Sequence, residues 1–126
     1  MIQTNVLSLQ GLTVTYTTRI GEVSAVKEVS FSLAKGESLG LVGESGCGKT
    51  TLALALLRLL PDNAHIRQGK VLLNGVDILP FDEEQLQELR WNKIAMVFQA
   101  AMNSLNPVYR VADQIVEAIE THWKHY

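Results

Sequence analysis

The sequence contains a single cysteine, Cys47, so no disulfide can form within the chain. A lone thiol fits a reducing compartment. There is no excess of positive charge: 11 Lys and Arg against 13 Asp and Glu give a net charge of −2. That excludes a nucleic-acid partner held by bulk electrostatics. Long apolar runs are also missing. The longest, residues 52–60, is interrupted by Arg58 and is too short to span a bilayer. Residues 1–5 lack the basic start and apolar core of a signal peptide. Work at a membrane would therefore require docking on another subunit. With three prolines, no internal repeat and no low-complexity segment, nothing reads as a linker.

What is present is an ordinary soluble composition, 47% hydrophobic and 19% charged, in 126 residues, enough for one domain with a core. Residues 6–17 alternate in part, with Gly11 as a break, and predict one or two strands. A turn at Gly21-Glu22 leads to β-rich residues 23–33, and Lys35-Gly36-Glu37 is a second turn. Residues 38–42 predict a short apolar strand running into a glycine loop. Residues 49–60 predict a helix, apolar nearly all round and hence buried, ended by Pro61. Residues 70–73 predict a strand, followed by a turn at Asn74-Gly75. Asp82 with Gln85 resembles a capping box opening a helix to about Arg90. Residues 94–98 predict another strand, 103–107 a loop, and 111–122 a helix with Val111, Ile115, Ala118 and Ile119 on one face. The pattern is that of a mixed α/β domain.

Gly43-Glu44-Ser45-Gly46-Cys47-Gly48-Lys49-Thr50 matches G-x-x-x-x-G-K-[ST] in full, between a predicted strand and a predicted helix. A helix N-terminus has unpaired N–H groups and a positive dipole end. Glycines let the chain curl so that several N–H groups converge on one anion, and phosphate fits such a nest. Lys49 adds a point charge for the β- and γ-phosphates of ATP. The Thr50 hydroxyl suits Mg²⁺, which takes few protein ligands. Thr51 supports the α-phosphate region. The bland alternative is a glycine-rich turn without a ligand. Cys47 is a candidate reactive thiol at a helix N-terminus, or simply a small loop residue pointing away from the phosphates. His65, His122 and His125 show no metal-ligand spacing and read as solvated. Asp82-Glu83-Glu84 reads as a charged helix start.

The segment 43–52, preceded by Lys35-Gly36-Glu37-Ser38-Leu39-Gly40-Leu41-Val42 and by Val29-Ser30-Phe31-Ser32-Leu33, resembles the phosphate loop of ABC transporter ATPase subunits. Within them, Ser104-Leu105-Asn106-Pro107-Val108-Tyr109 resembles the peptide/nickel importer group that includes the oligopeptide and dipeptide permeases. The resemblance covers essentially the whole chain and departs at Ala100-Ala101, where many relatives carry an acidic residue and a proline. It implies a P-loop NTPase fold of the ABC ATPase type, here incomplete: a β-rich front, the phosphate-loop strand and helix, and the start of a helical subdomain. The chain would be the N-terminal part of one nucleotide-binding domain, about 1–98 core and about 99–126 Q-loop and helical start.

The resemblance also implies roles. Tyr16 is placed to stack on adenine, an aromatic contact worth roughly 0.5–1.5 kcal/mol. Gln99 would open the Q-loop, contact Mg²⁺ and the attacking water, and lie near the transmembrane permease subunits. A second ATPase subunit would complete the ATP site. The protein would sit in the cytoplasm, peripheral on the inner face of the cell membrane. For Tyr16 the plain alternative is a strand-end aromatic, and for Gln99 an ordinary polar strand end.

Phosphoryl transfer also needs a carboxylate on Mg²⁺ and a group that positions water. In this family the aspartate and glutamate follow four apolar residues, and none of the 13 acidic residues here does. The Leu-Ser-Gly-Gly-Gln signature is absent, for the chain has no adjacent glycine pair, and no histidine has the context of the switch residue. The chain is therefore expected to be a truncated piece, marginally stable or self-associating when made alone. Three readings stay open: an energy-coupling ATPase subunit of a peptide importer, a nucleotide-binding fragment without catalysis, and another P-loop enzyme such as a kinase or GTPase. The β-rich front, Tyr16 and Gln99 argue against the third.

Overall fold

The structure, a computed structural model, describes residues 4–44, 46, 48–99 and 103–123. The chain divides into two compact units, Met1–Asp82 and Glu83–Tyr126.

The first unit is built on β1 (Asn5–Thr18), β2 (Gly21–Ala34), α1 (Lys49–Leu56), β3 (Ala64–Leu73) and β4 (Val76–Asp77). The four strands form an antiparallel sheet in the order β2-β1-β3-β4. β1 is one continuous strand. Gly11 does not break it but sits at φ +57 within an irregular stretch where the pairing with both neighbours shifts register. Gly69 of β3 passes so close there that a Cβ would lie 2.6 Å from the Leu12 Cα and 2.7 Å from the Gly11 oxygen. The β1–β2 turn falls at Arg19-Ile20, with Gly21 already paired to Thr18. At the far end of β2, Ala34 N donates to Glu37 Oε2 (2.8 Å) and Glu37 N to Ala34 O (3.1 Å), closing the 35–37 turn. Asn74 and Gly75 both take positive φ (49° and 83°), as a two-residue hairpin demands, and join β3 to β4. Leu9, Leu12, Val14, Val71 and Ile78 are fully buried, each burial contributing about 1.5–3 kcal/mol.

α1 stops at Leu56, four residues short of the predicted end, and Pro61 is not what stops it. Arg58 adopts φ 54°, its N–H bonds Ala55 O (3.1 Å), and the Leu59 N–H bonds Leu54 O (2.9 Å). These two bonds form a Schellman stop, usually made by glycine. Arginine is tolerated because its Nη1 donates to Leu79 O (2.5 Å) and Ile78 O (3.4 Å), tying the helix end to the segment after β4. The helix is buried on one side at Thr51, Leu52 and Ala55, rather than all round.

The second unit holds α2 (Glu83–Leu89) and α3 (Val111–His122), the latter with the predicted bounds. Gln114 fastens the loop before α3. Its Oε1 accepts from Asn106 N (2.8 Å) and its Nε2 donates to Asn106 O (2.9 Å) and Tyr109 O (3.1 Å). His122 is half-buried, its ring centroid 6.2 Å from that of Trp91, and so is not the solvated residue expected.

Two predicted strands do not form. Residues 38–42 carry no regular structure, with Leu39 and Leu41 about half exposed and Val42 98% exposed. Residues 94–98 make only an isolated bridge from Ile94 to Arg90, and Val97 is 90% exposed. A continuous apolar run becomes a strand when neighbours on both edges take its hydrogen bonds. Among the described residues no strand runs beside either segment.

Candidate functional site

Gly48 of the glycine loop leads directly into α1, which begins at Lys49, in the first unit. The strand expected before the loop is absent, but the helix after it is present. Gly48 is the N-cap, at φ 97°, a backbone conformation that any side chain resists. It packs on β2: a Cβ there would collide with the Ala25 carbonyl oxygen and lie 3.7 Å from Val26 Cγ2. Gly46 also has positive φ, 83°. At Gly48 the contact with Ala25 leaves no room for a side chain, while at Gly46 a side chain would have space but be strained by the left-handed backbone. Ser45 and Cys47 lie outside the described residues, as do Ala100, Ala101 and His125.

The first turn of α1 has no side-chain cap and no acidic residue. Among the described residues no side chain caps its leading amides, and no carboxylate of the helix's own first turn opposes the positive dipole end. Lys49 Nζ folds back over the loop, donating to Gly43 O and to Glu44 O (3.4 Å). Gly43, Glu44 and Thr50 are exposed. Glycines at positive φ, an uncapped helix start and one ammonium group make a donor set that fits an anionic phosphate chain. Thr50, an exposed residue bearing a hydroxyl, is suited to a hard cation accompanying it.

Tyr16 lies on β1, paired with Val23 on one side and Ala64 on the other. Its hydroxyl is 3.1 Å from Thr51 Oγ1 in the first turn of α1. Sequence reasoning selected both residues but gave no sign of this bond, which joins positions 35 apart. Gln99 belongs to the second unit, exposed at a turn. Among the described residues, no cluster of His, Cys, Asp and Glu could hold a metal, and no helix is long and apolar enough to cross a membrane.

The sequence pattern of ABC transporter domains matches residues 26–125. The chain belongs to the ABC transporter family, and its fold is that of an α/β P-loop NTPase of the ABC type, in incomplete form. It is 46% identical over 116 residues to the oligopeptide transport ATP-binding protein OppD of Escherichia coli, covering 92% of this chain and 34% of that protein. It is 39% identical over 122 residues to the corresponding Bacillus subtilis protein (96% and 34%). It is 41% identical over 124 residues to the dipeptide transport ATP-binding protein DppD of Lactococcus lactis (98% and 36%). The chain thus spans about a third of the length of these relatives.

Proposed function

We propose that this chain carries the front part of the nucleotide site of an ATP-binding subunit that powers peptide import. The observation that carries the reading is the junction at Gly48-Lys49. There a left-handed glycine opens an uncapped helix, and the next residue brings its ammonium group across the loop. The names of the relatives, oligopeptide and dipeptide transport ATP-binding proteins, favour ATP as ligand and peptides as cargo.

In this reading the amides of residues 43–50 and Lys49 hold the triphosphate, and Thr50 contributes to the Mg²⁺ site. Tyr16 offers its ring to the adenine, and Thr51 bonds the α-phosphate. Gln99 orients water near the metal, and the Q-loop around it meets the transmembrane permease subunits. A second ATPase subunit completes the pair on the cytoplasmic face of the membrane. Bound Mg²⁺ supplies charge neutralisation along the phosphate chain.

The test is equilibrium binding of MgATP to the chain and to Lys49→Ala. Hydrogen bonds to charged groups are worth about 1.5–3 kcal/mol, so the variant should bind at least roughly tenfold more weakly. Equal affinity would place the site elsewhere. A second reading, binding without turnover, is favoured by the lack of an acidic residue after an apolar run and of a glycine pair. Lys49-dependent phosphate release by this chain would contradict it.

A further inference from the structure

The hydroxyl pair Tyr16–Thr51 gives Tyr16 a role beyond its ring. This inference rests on the phosphate-binding reading of the loop and deepens it. The two hydroxyl oxygens are 3.1 Å apart in a part-buried position, and Thr51 is only 8% exposed. Either oxygen can be the donor as the pair stands. A threonine hydroxyl has one proton to give, and an ionised phosphate oxygen only accepts. Once Thr51 donates to a phosphate, it cannot also donate to Tyr16. The Tyr16 O–H must then donate to Thr51 Oγ1, and the bonds run Tyr16 to Thr51 to phosphate in one direction.

We infer that Tyr16 is a positioning residue for phosphate recognition: its hydroxyl orients the Thr51 hydroxyl and strengthens its bond to the anion. Hydrogen bonds linked head to tail polarise one another, the more so away from bulk water. β1 is held on both sides, by β2 and by β3, so the phenol is fixed where the bond needs it. The contact also ties the strand bearing the proposed adenine platform to the first turn of the phosphate-binding helix. Base and phosphate recognition thereby share one residue. The ring would act on the base alone and the hydroxyl on the phosphates alone.

The probes are MgATP and magnesium tripolyphosphate, which has phosphates but no base. Tyr16→Phe keeps the ring and removes the hydroxyl. It should weaken both probes by the same factor, roughly three- to tenfold, the weight of one hydrogen bond. Thr51→Val should weaken both at least as much, and the double variant should bind no more weakly than Thr51→Val alone. Unchanged tripolyphosphate binding by Tyr16→Phe, or independent multiplying losses in the double variant, would overturn the inference. Should Tyr16→Phe fail to fold, Thr51→Val and Thr51→Ser decide, since serine keeps the hydroxyl; equal tripolyphosphate affinity of the two overturns it. The parent reading fails differently: wild-type chain that binds neither probe, or Lys49→Ala that binds like wild type, removes both.

Discussion

Gly48 and Ala25 meet backbone to backbone: the Gly48 Cα faces the Ala25 carbonyl so closely that no side-chain carbon fits between them. The contact sets the start of α1 against β2 and fixes where the loop turns into the helix. Gly48→Ala should therefore be destabilising twice over. The left-handed φ of 97° alone costs an alanine about 1–3 kcal/mol, and the clash adds to it. A loss of that size or more in urea unfolding followed by circular dichroism is expected, together with loss of MgATP binding. A variant as stable as wild type would mean the helix starts elsewhere.

Gly69 makes the corresponding approach inside the sheet, at φ 105° against Gly11 and Leu12. Gly69→Ala should loosen the β1–β3 pairing without touching the loop. Unfolding should shift by about 1–3 kcal/mol. Amide exchange should speed up around Gln10 and Thr13, the β1 residues that pair on either side of the irregular stretch.

Arg67 allows two contributions to be compared at one side chain. It pairs with Glu22, where both side chains are about half exposed, and its Nε donates to Thr15 Oγ1 (3.1 Å), a residue 8% exposed. Half-exposed ion pairs are worth about 0–1 kcal/mol, whereas a buried acceptor left without its donor costs about 1–3 kcal/mol. Thermal melts should show Arg67→Ala clearly more destabilised than Glu22→Ala. The reverse order would make the ion pair the dominant contact.

Leu39, Leu41 and Val42 in one unit, and Val97 and Phe98 in the other, expose apolar surface on segments that have no partner strand among the described residues. Unpaired apolar backbone of this kind is prone to edge-to-edge association. Sedimentation of the chain should show concentration-dependent self-association, reduced by Val42→Lys and by Val97→Lys. A monomer at all concentrations would count against it.

Where local chemistry decides structure, the sequence was a good guide. Asn74-Gly75 could hardly be anything but a tight hairpin, and the apolar spacing from Val111 to Ile119 marked α3 to the residue. The glycine spacing at 43–50 located the loop because the backbone at Gly46 and Gly48 takes the left-handed conformation that favours glycine. What was hidden depends on partners distant in the chain. β3 begins at Ala64, six residues before the expected start at Lys70, because Ala64, His65, Ile66 and Gln68 find pairing on β1. Arg58 ends α1 in a glycine-like conformation that its guanidinium makes tolerable through the carbonyls of Ile78 and Leu79. Residues 38–42 and 94–98 read as strands from composition alone, yet composition cannot supply a neighbour. The loop–helix junction was legible in the same way; the Tyr16–Thr51 bond and the hold of Gln114 on the 106–109 loop were not.

Lys49 is already engaged with the oxygens of Gly43 and Glu44. A phosphate bound as proposed does not meet a naked cation but takes the place of these two carbonyls. In the proposed reading, affinity at this loop is the difference between two sets of contacts, those Lys49 makes to the loop carbonyls and those it makes to the phosphates.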